Sequence, residues 1–115
     1  MCIFPIKYEG DDVLRYIFPS KQKAVQTAID IAVKDKRIER LIIFGSAITK
    51  SCGMGSDIDI AIDAPNANTD EFLKIAHSFY RDVPSEIDVI HYNNIHSELL
   101  KENVNKGVCV YFKKR

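Results

Sequence analysis

Apolar residues recur along this chain with two periods, one near 3.6 and one of two, and the periods alternate from segment to segment. Val25, Ala28, Ile29 and Ala32 repeat at helical spacing, which predicts a helix from Lys21 to about Lys36 with Ser20 as its N-cap. Arg40 then leads into the apolar run Leu41-Ile42-Ile43-Phe44, stopped by Gly45, the pattern of a buried strand. From Asp57 to Asp63 the period is strictly two, with Ile58, Ile60 and Ile62 set against Asp57, Asp59, Ala61 and Asp63. Thr69 is read as the cap of a second helix, with Asp70 and Glu71 in its first turn and Phe72, Ile75, Ala76 and Phe79 as its inner stripe. Glu86 to His91 alternates again as a strand. Asn94 is read as the cap of a helix to about Lys106, closed by Gly107, and Val108 to Phe112 forms a last strand.

The first eight residues alternate loosely and predict an edge strand, because Pro5 cannot donate to a ladder on both sides. Gly10-Asp11-Asp12 reads as a turn and Val13 to Phe18 as a short helix. Strands interleaved with helices predict an α/β or α+β fold, with helices packed against one sheet. The length suits a single domain over 1–115, with its core at about 21–112 and residues 1–20 as an N-terminal extension.

Charge and composition narrow the function classes. Lys and Arg number 16, as do Asp and Glu, so the formal net charge is zero. Proteins that hold long polyanions are usually basic, so nucleic acid is not the expected partner, while a small anion remains compatible. No stretch approaches the ~20 apolar residues of a membrane span, and the N-terminus lacks a basic region followed by an apolar one. Cys2, Cys52 and Cys109 are odd in number and far apart, against both a disulfide framework and a zinc knuckle. These features predict a cytoplasmic protein.

The chemistry concentrates between Leu41 and Asp63. Strand residues two apart share a face, so Asp57 and Asp59 point the same way, about 6.5–7 Å apart along the strand. On the later strand Ile87 and Val89 face inward and leave Asp88 on the polar side. Should the two strands pair, Asp57, Asp59 and Asp88 form a cluster whose mutual repulsion a hard divalent cation would reverse, and all-oxygen ligands suit Mg2+. Gly45-Ser46 follows the buried strand and is expected to open a short helix through Ala47 to Lys50. Free N–H groups there, and a glycine that lets phosphate approach, make an anion cradle. Each feature alone has an ordinary explanation: aspartates often line the wet face of a strand, and Gly-Ser often turns a chain. Their combination is what points to triphosphate and Mg2+ side by side.

Gly45-Ser46, ten intervening residues, then Asp57-Ile58-Asp59, with Asp88 alone on a later strand, resembles the nucleotidyltransferase superfamily of the DNA polymerase-β fold. The closing stretch Asn105 to Tyr111 resembles the end of its minimal, stand-alone members. The resemblance implies a mixed sheet packed with helices. It implies two Mg2+ ions on the catalytic acids Asp57, Asp59 and Asp88, with the nucleoside triphosphate held by Gly45, Ser46, Lys50 and Ser56. It also implies transfer of a nucleoside monophosphate, AMP from ATP, with pyrophosphate leaving. Minimal members pair with a separate helical protein of the HEPN type in toxin–antitoxin modules, so such a partner is expected here. The pattern departs from the family at Thr49 and Lys50, where many members carry a basic residue and a glycine; Lys50 is read as a substitute phosphate ligand.

That departure supports a second reading, a non-catalytic nucleotide- or partner-binding module of the same fold. A third is a plain structural domain with an acidic strand face. Gly53-Met54-Gly55 lacks the preceding strand and third glycine of a dinucleotide fingerprint and reads as a flexible loop. His77, His91 and His96 lack metal-ligand spacing, and Tyr92 is read as a packing residue.

Overall fold

The computed structural model describes residues 21–45 and 58–113. The expected edge strand over 1–8, the helix over 13–18 and the helical turn at 47–50 lie outside the described residues. In chain order the elements are α1 (Gln22–Lys34), β1 (Arg40–Phe44), β2 (Ile58–Asp63), α2 (Thr69–Asp82), β3 (Ile87–His91), a 3-10 turn (Tyr92–Asn94), α3 (Glu98–Asn105) and β4 (Val108–Phe112). The four strands form one sheet in the order β3-β2-β1-β4. β1 runs antiparallel to both β2 and β4, while β2 and β3 are parallel, so the sheet is mixed. The β2–β3 crossover is made by α2, as a parallel pair requires a long connection.

Both faces of the sheet are covered. On one face Val25, Ala28, Ile29 and Ala32 of α1 and Ile75 and Phe79 of α2 pack on Leu41, Ile43, Ile58, Ile60 and Ile62. These are the residues that the two periods placed inward. On the other face Val104 of α3 packs with Ile42, Phe44, Ala61 and Cys109, bordered by Ile90, Tyr92, Ile95 and Leu100. A strand buried on both sides needs no polar positions, which is why β1 reads as an unbroken apolar run. At the sheet's outer margin the Tyr80 hydroxyl accepts a hydrogen bond from the Val89 N–H of β3 at 3.0 Å.

The helix starts differ from expectation by short distances, each for a local reason. α1 has Lys21 at its cap position, without a side-chain cap bond; Ser20 is outside the described residues. α2 is capped by Asn68 and not by Thr69, its first residue. Asn68 Oδ1 accepts from the Glu71 N–H at 2.8 Å, and the Glu71 carboxylate accepts from the Asn68 N–H at 3.0 Å. That reciprocal pair satisfies two end donors where Thr69 alone would satisfy one. α3 is capped by Ser97, which accepts from the Leu100 N–H, in place of Asn94. The chain cannot enter the helix at Asn94 because Asn93 is held back against β2. Its amide donates to Asp63 at 2.9 Å, and its Oδ1 accepts from the Ala64 N–H at 2.8 Å. Gly107 ends α3 as expected, its N–H donating to the Val104 carbonyl. A Cβ at 107 would lie 2.5 Å from the Ile43 carbonyl oxygen, so the α3–β4 turn sits directly on the end of β1.

The turn from α1 to β1 is fixed by charge. Arg37 donates to Asp35 through its backbone N–H, Nε and Nη2 at 3.0, 3.1 and 3.0 Å. Burial pushes the Asp35 carboxyl up, but the Arg37 hydrogen bonds outweigh it and leave it below the ordinary aspartate range. A carboxyl lowered in the folded state adds stability above its unfolded value and loses it as pH falls through the folded one. The urea midpoint should therefore fall on acidification below about pH 4. In Arg37→Met that limb should flatten, by about 1 kcal/mol or less once solvent screening of this half-buried pair is allowed for. An acid limb identical in the two proteins would exclude Asp35 as its source.

Candidate active site

β2 places Asp59, Ala61 and Asp63 on the face that α3 covers. Ala61 is small and fully buried under that helix, and the two aspartates emerge at opposite ends of its footprint. Their fates differ.

At the Asp63 end the acid is absorbed into structure. Arg40 Nε donates to one carboxylate oxygen at 2.7 Å, and Asn93 Nδ2 donates to the other at 2.9 Å. The Arg40 guanidinium lies 4.8 Å from the centre of the Tyr92 ring, with the Lys101 ammonium 5.4 Å from it. The Tyr92 hydroxyl donates to Asn105. Tyr92 is thus a packing residue, as the sequence predicted. The Arg40–Asp63–Asn93 cluster was not foreseen, because its members are separated by more than twenty residues of sequence and meet only through strand register.

At the other end, β1 finishes where β2 and β3 begin. The register sets Asp59 opposite Phe44 on β1 and opposite Asp88 on β3. Paired residues of neighbouring strands point to the same side, so the two carboxyl groups share one face, with backbones about 4.8 Å apart. Asp59 is half-buried and Asp88 exposed. Their neighbours Ile58, Ile60, Ile87 and Val89 face the α1–α2 core, as the alternation required. Gly45 follows Phe44 directly, with φ of +74°, a backbone region L side chains rarely adopt. A Cβ at residue 45 would run into the Asp59 carboxylate. The structure therefore brings three of the expected residues, Gly45, Asp59 and Asp88, to one end of the sheet. Ser46, Lys50, Ser56 and Asp57 lie outside the described residues.

The donor set fits a hard cation in kind: carboxylate oxygens on adjacent strands, one of them open to solvent. Among the described residues no group of three or more His, Cys, Asp or Glu comes together as a metal cage. The third acid of the expected set, Asp57, is outside them.

Other polar groups are engaged elsewhere. His91 stacks on Phe72 with ring centres 4.3 Å apart, and its Nε2 lies 3.0 Å from the Ala64 carbonyl oxygen. Cys109 is buried and its Sγ donates to the Tyr111 carbonyl. A cleft of about 550 Å3 lies between α1 and α2, lined in part by Lys34, Asp35, Arg37, Arg81 and Asp82. Its two arginines are paired with Asp35 and Asp82, and none of Gly45, Asp59 and Asp88 lines it.

The two ends of β2 predict opposite responses to losing an acid. Asp63→Ala removes the carboxylate that accepts from both Arg40 and Asn93 and should cost about 1–3 kcal/mol. Asp88→Asn removes a like-charge neighbour of Asp59 and should stabilise the metal-free protein by a few tenths of a kcal/mol. Urea unfolding in chelator measures both. Destabilisation by Asp88→Asn as large as that of Asp63→Ala would mean that Asp88 is a structural residue.

Comparisons with known proteins agree with this architecture. Among solved structures the chain is similar to a crystal structure of a mutant toxin–antitoxin pair, MntA–HpeT. The TM-score is 0.58 at 18% sequence identity, over 76% of this chain and 71% of that one. At that identity the likeness establishes the fold. No curated protein matches the chain. The family model described as polymerase beta, nucleotidyltransferase matches residues 26–115, which include both acidic strands and the Gly45 turn. This chain belongs to the polymerase-β nucleotidyltransferase family.

Proposed function

We propose that the protein is a Mg2+-dependent nucleotidyltransferase that moves a nucleoside monophosphate, AMP from ATP, onto an acceptor hydroxyl. The observation that carries this reading is the register of Asp59 and Asp88 on one face, beside the Gly45 turn. Asp57, Asp59 and Asp88 would hold two Mg2+ ions. When bound, Mg2+ supplies charge neutralisation for the phosphate oxygens and acidifies the attacking hydroxyl. Gly45, Ser46, Lys50 and Ser56 would bind the triphosphate and orient its α-phosphorus for in-line attack, with pyrophosphate leaving. In this reading Asp88, exposed at the margin, would receive the acceptor side, while half-buried Asp59, beside Gly45, would lie nearer the triphosphate.

The acceptor is proposed to be a protein. What supports this reading is that the similar MntA–HpeT structure is that of a toxin–antitoxin pair. The role that follows is that of an antitoxin which adenylylates a helical, HEPN-like toxin. Among the described residues no helix is long and apolar enough to cross a membrane; action in the cytoplasm is part of this proposal.

Incubation with Mg2+, α-labelled ATP and any helical, HEPN-like protein encoded beside it should move label onto that protein. Asp59→Asn and Asp88→Asn should each reduce the transfer by about a hundredfold or more. Mg-ATP at a hundred times its Kd should stabilise the chain by ~2.7 kcal/mol. Stabilisation without label transfer to any acceptor would favour the non-catalytic binding module. The absence of both would reject the site.

A further inference from the structure

We infer that Gly45 is a positioning residue for Asp59, its bare Cα serving as the seat that sets the direction of that carboxylate. This inference rests on the reading of Asp59 as a metal ligand. The usual reason for a glycine in such a turn is to let a phosphate approach the backbone. Here the space beside the Gly45 Cα is already taken, and the occupant is the acid itself. A Cβ built at residue 45 would fall on Asp59 Oδ2, with Cγ at 3.3 Å and Cβ at 3.6 Å. The whole carboxyl arm of Asp59 therefore lies along residue 45.

Two constraints force this contact. Phe44 is the register partner of Asp59, so the residue after Phe44 must pass beside the Asp59 side chain. Gly45 then turns the chain at φ +74°, presenting to Asp59 the side of the Cα where an L side chain would project. Phe44 itself is pinned from behind, buried against Val104, and a Cβ built at residue 107 would lie 2.9 Å from the Phe44 Cβ. The strand end cannot retreat. A methyl at residue 45 would have to displace the carboxylate, and Asp59 would swing out of its alignment with Asp88. The glycine thus ties the phosphate turn to the acid pair: one Cα borders both.

The seat and its role are tested separately. In chelator, Gly45→Ala should lower the urea midpoint much more in the parent than in an Asp59→Ala background, where only the left-handed backbone opposes alanine. Should Gly45→Ala alone fail to fold, recovery of folding in the doubly substituted chain is the same result. Equal losses in the two backgrounds would overturn the seat.

The role is read by Mn2+ binding, followed by electron paramagnetic resonance with no nucleotide or phosphate present. Gly45→Ala should weaken binding by about tenfold or more, as loss of ligand orientation does. A glycine that served only phosphate would leave this affinity unchanged, and that result, with the coupling intact, would overturn the positioning role. A parent protein that binds no more Mn2+ than Asp59→Asn would overturn the reading of Asp59 as a ligand, and the positioning role with it. The unfolding comparison would still report the seat, so the two failures are distinguishable.

Discussion

The parallel pairing of β2 with β3, with Ile58 beside Ile87, is the constraint on which the rest of the structure depends. Side chains alternate along each strand, so a shift of one residue in that ladder would bury aspartate and expose isoleucine. Ile58, Ile60 and Ile62 on one strand and Ile87 and Val89 on the other have a single common solution, with all five facing α1 and α2. The acids have no say in this arrangement. They stand where the hydrophobic residues leave them, and the repulsion between Asp59 and Asp88 is tolerated because burial of their neighbours outweighs it. With ~25 cal/mol per Å2 of apolar surface buried, five large aliphatic side chains stabilise by several kcal/mol, against about 1 kcal/mol or less for facing like charges. A charged site is thereby held open by apolar packing on the reverse side of the same strands.

The second core has the complementary task. α3 covers only the middle of its face, over Ala61, so β2 shows an acid at each end of the covered patch. One acid is neutralised by Arg40 and Asn93 and helps to hold the turn after β3 in place. The other stays beside Asp88 and Gly45. Two residues of identical chemistry, four positions apart on one strand face, therefore serve different ends, and what separates them is the neighbour that register supplies: arginine for Asp63, aspartate for Asp59.

This division explains what could and could not be read from the chain. The strands, the inner stripes of α1 and α2, and the shared face of Asp59 and Asp88 follow from periods of two and 3.6, which are local and dictated by burial. Gly45, Asp59 and Asp88 lie at one end of the sheet. The helix starts were less legible. Thr69 and Asn68 are both good caps, and the choice turned on Glu71 lying at the reciprocal spacing from Asn68, a signal present in the sequence. Asn94 was displaced by Ser97 for a reason no local pattern carries, since Asn93 is bound to residues some thirty positions earlier. The contact between Gly45 and Asp59 was illegible for the same cause. They lie fourteen positions apart in sequence, and only the antiparallel pairing of β1 and β2 makes them neighbours.

The phenol of Tyr80 has a consequence beyond the fold. β3 is a marginal strand, and its outward amide at Val89 is a natural template for a foreign backbone. With that donor already engaged by a side chain from α2, an invading strand would first have to displace the Tyr80 hydroxyl. Growth of the sheet into fibrils or swapped assemblies is thus discouraged on the flank that carries Asp88.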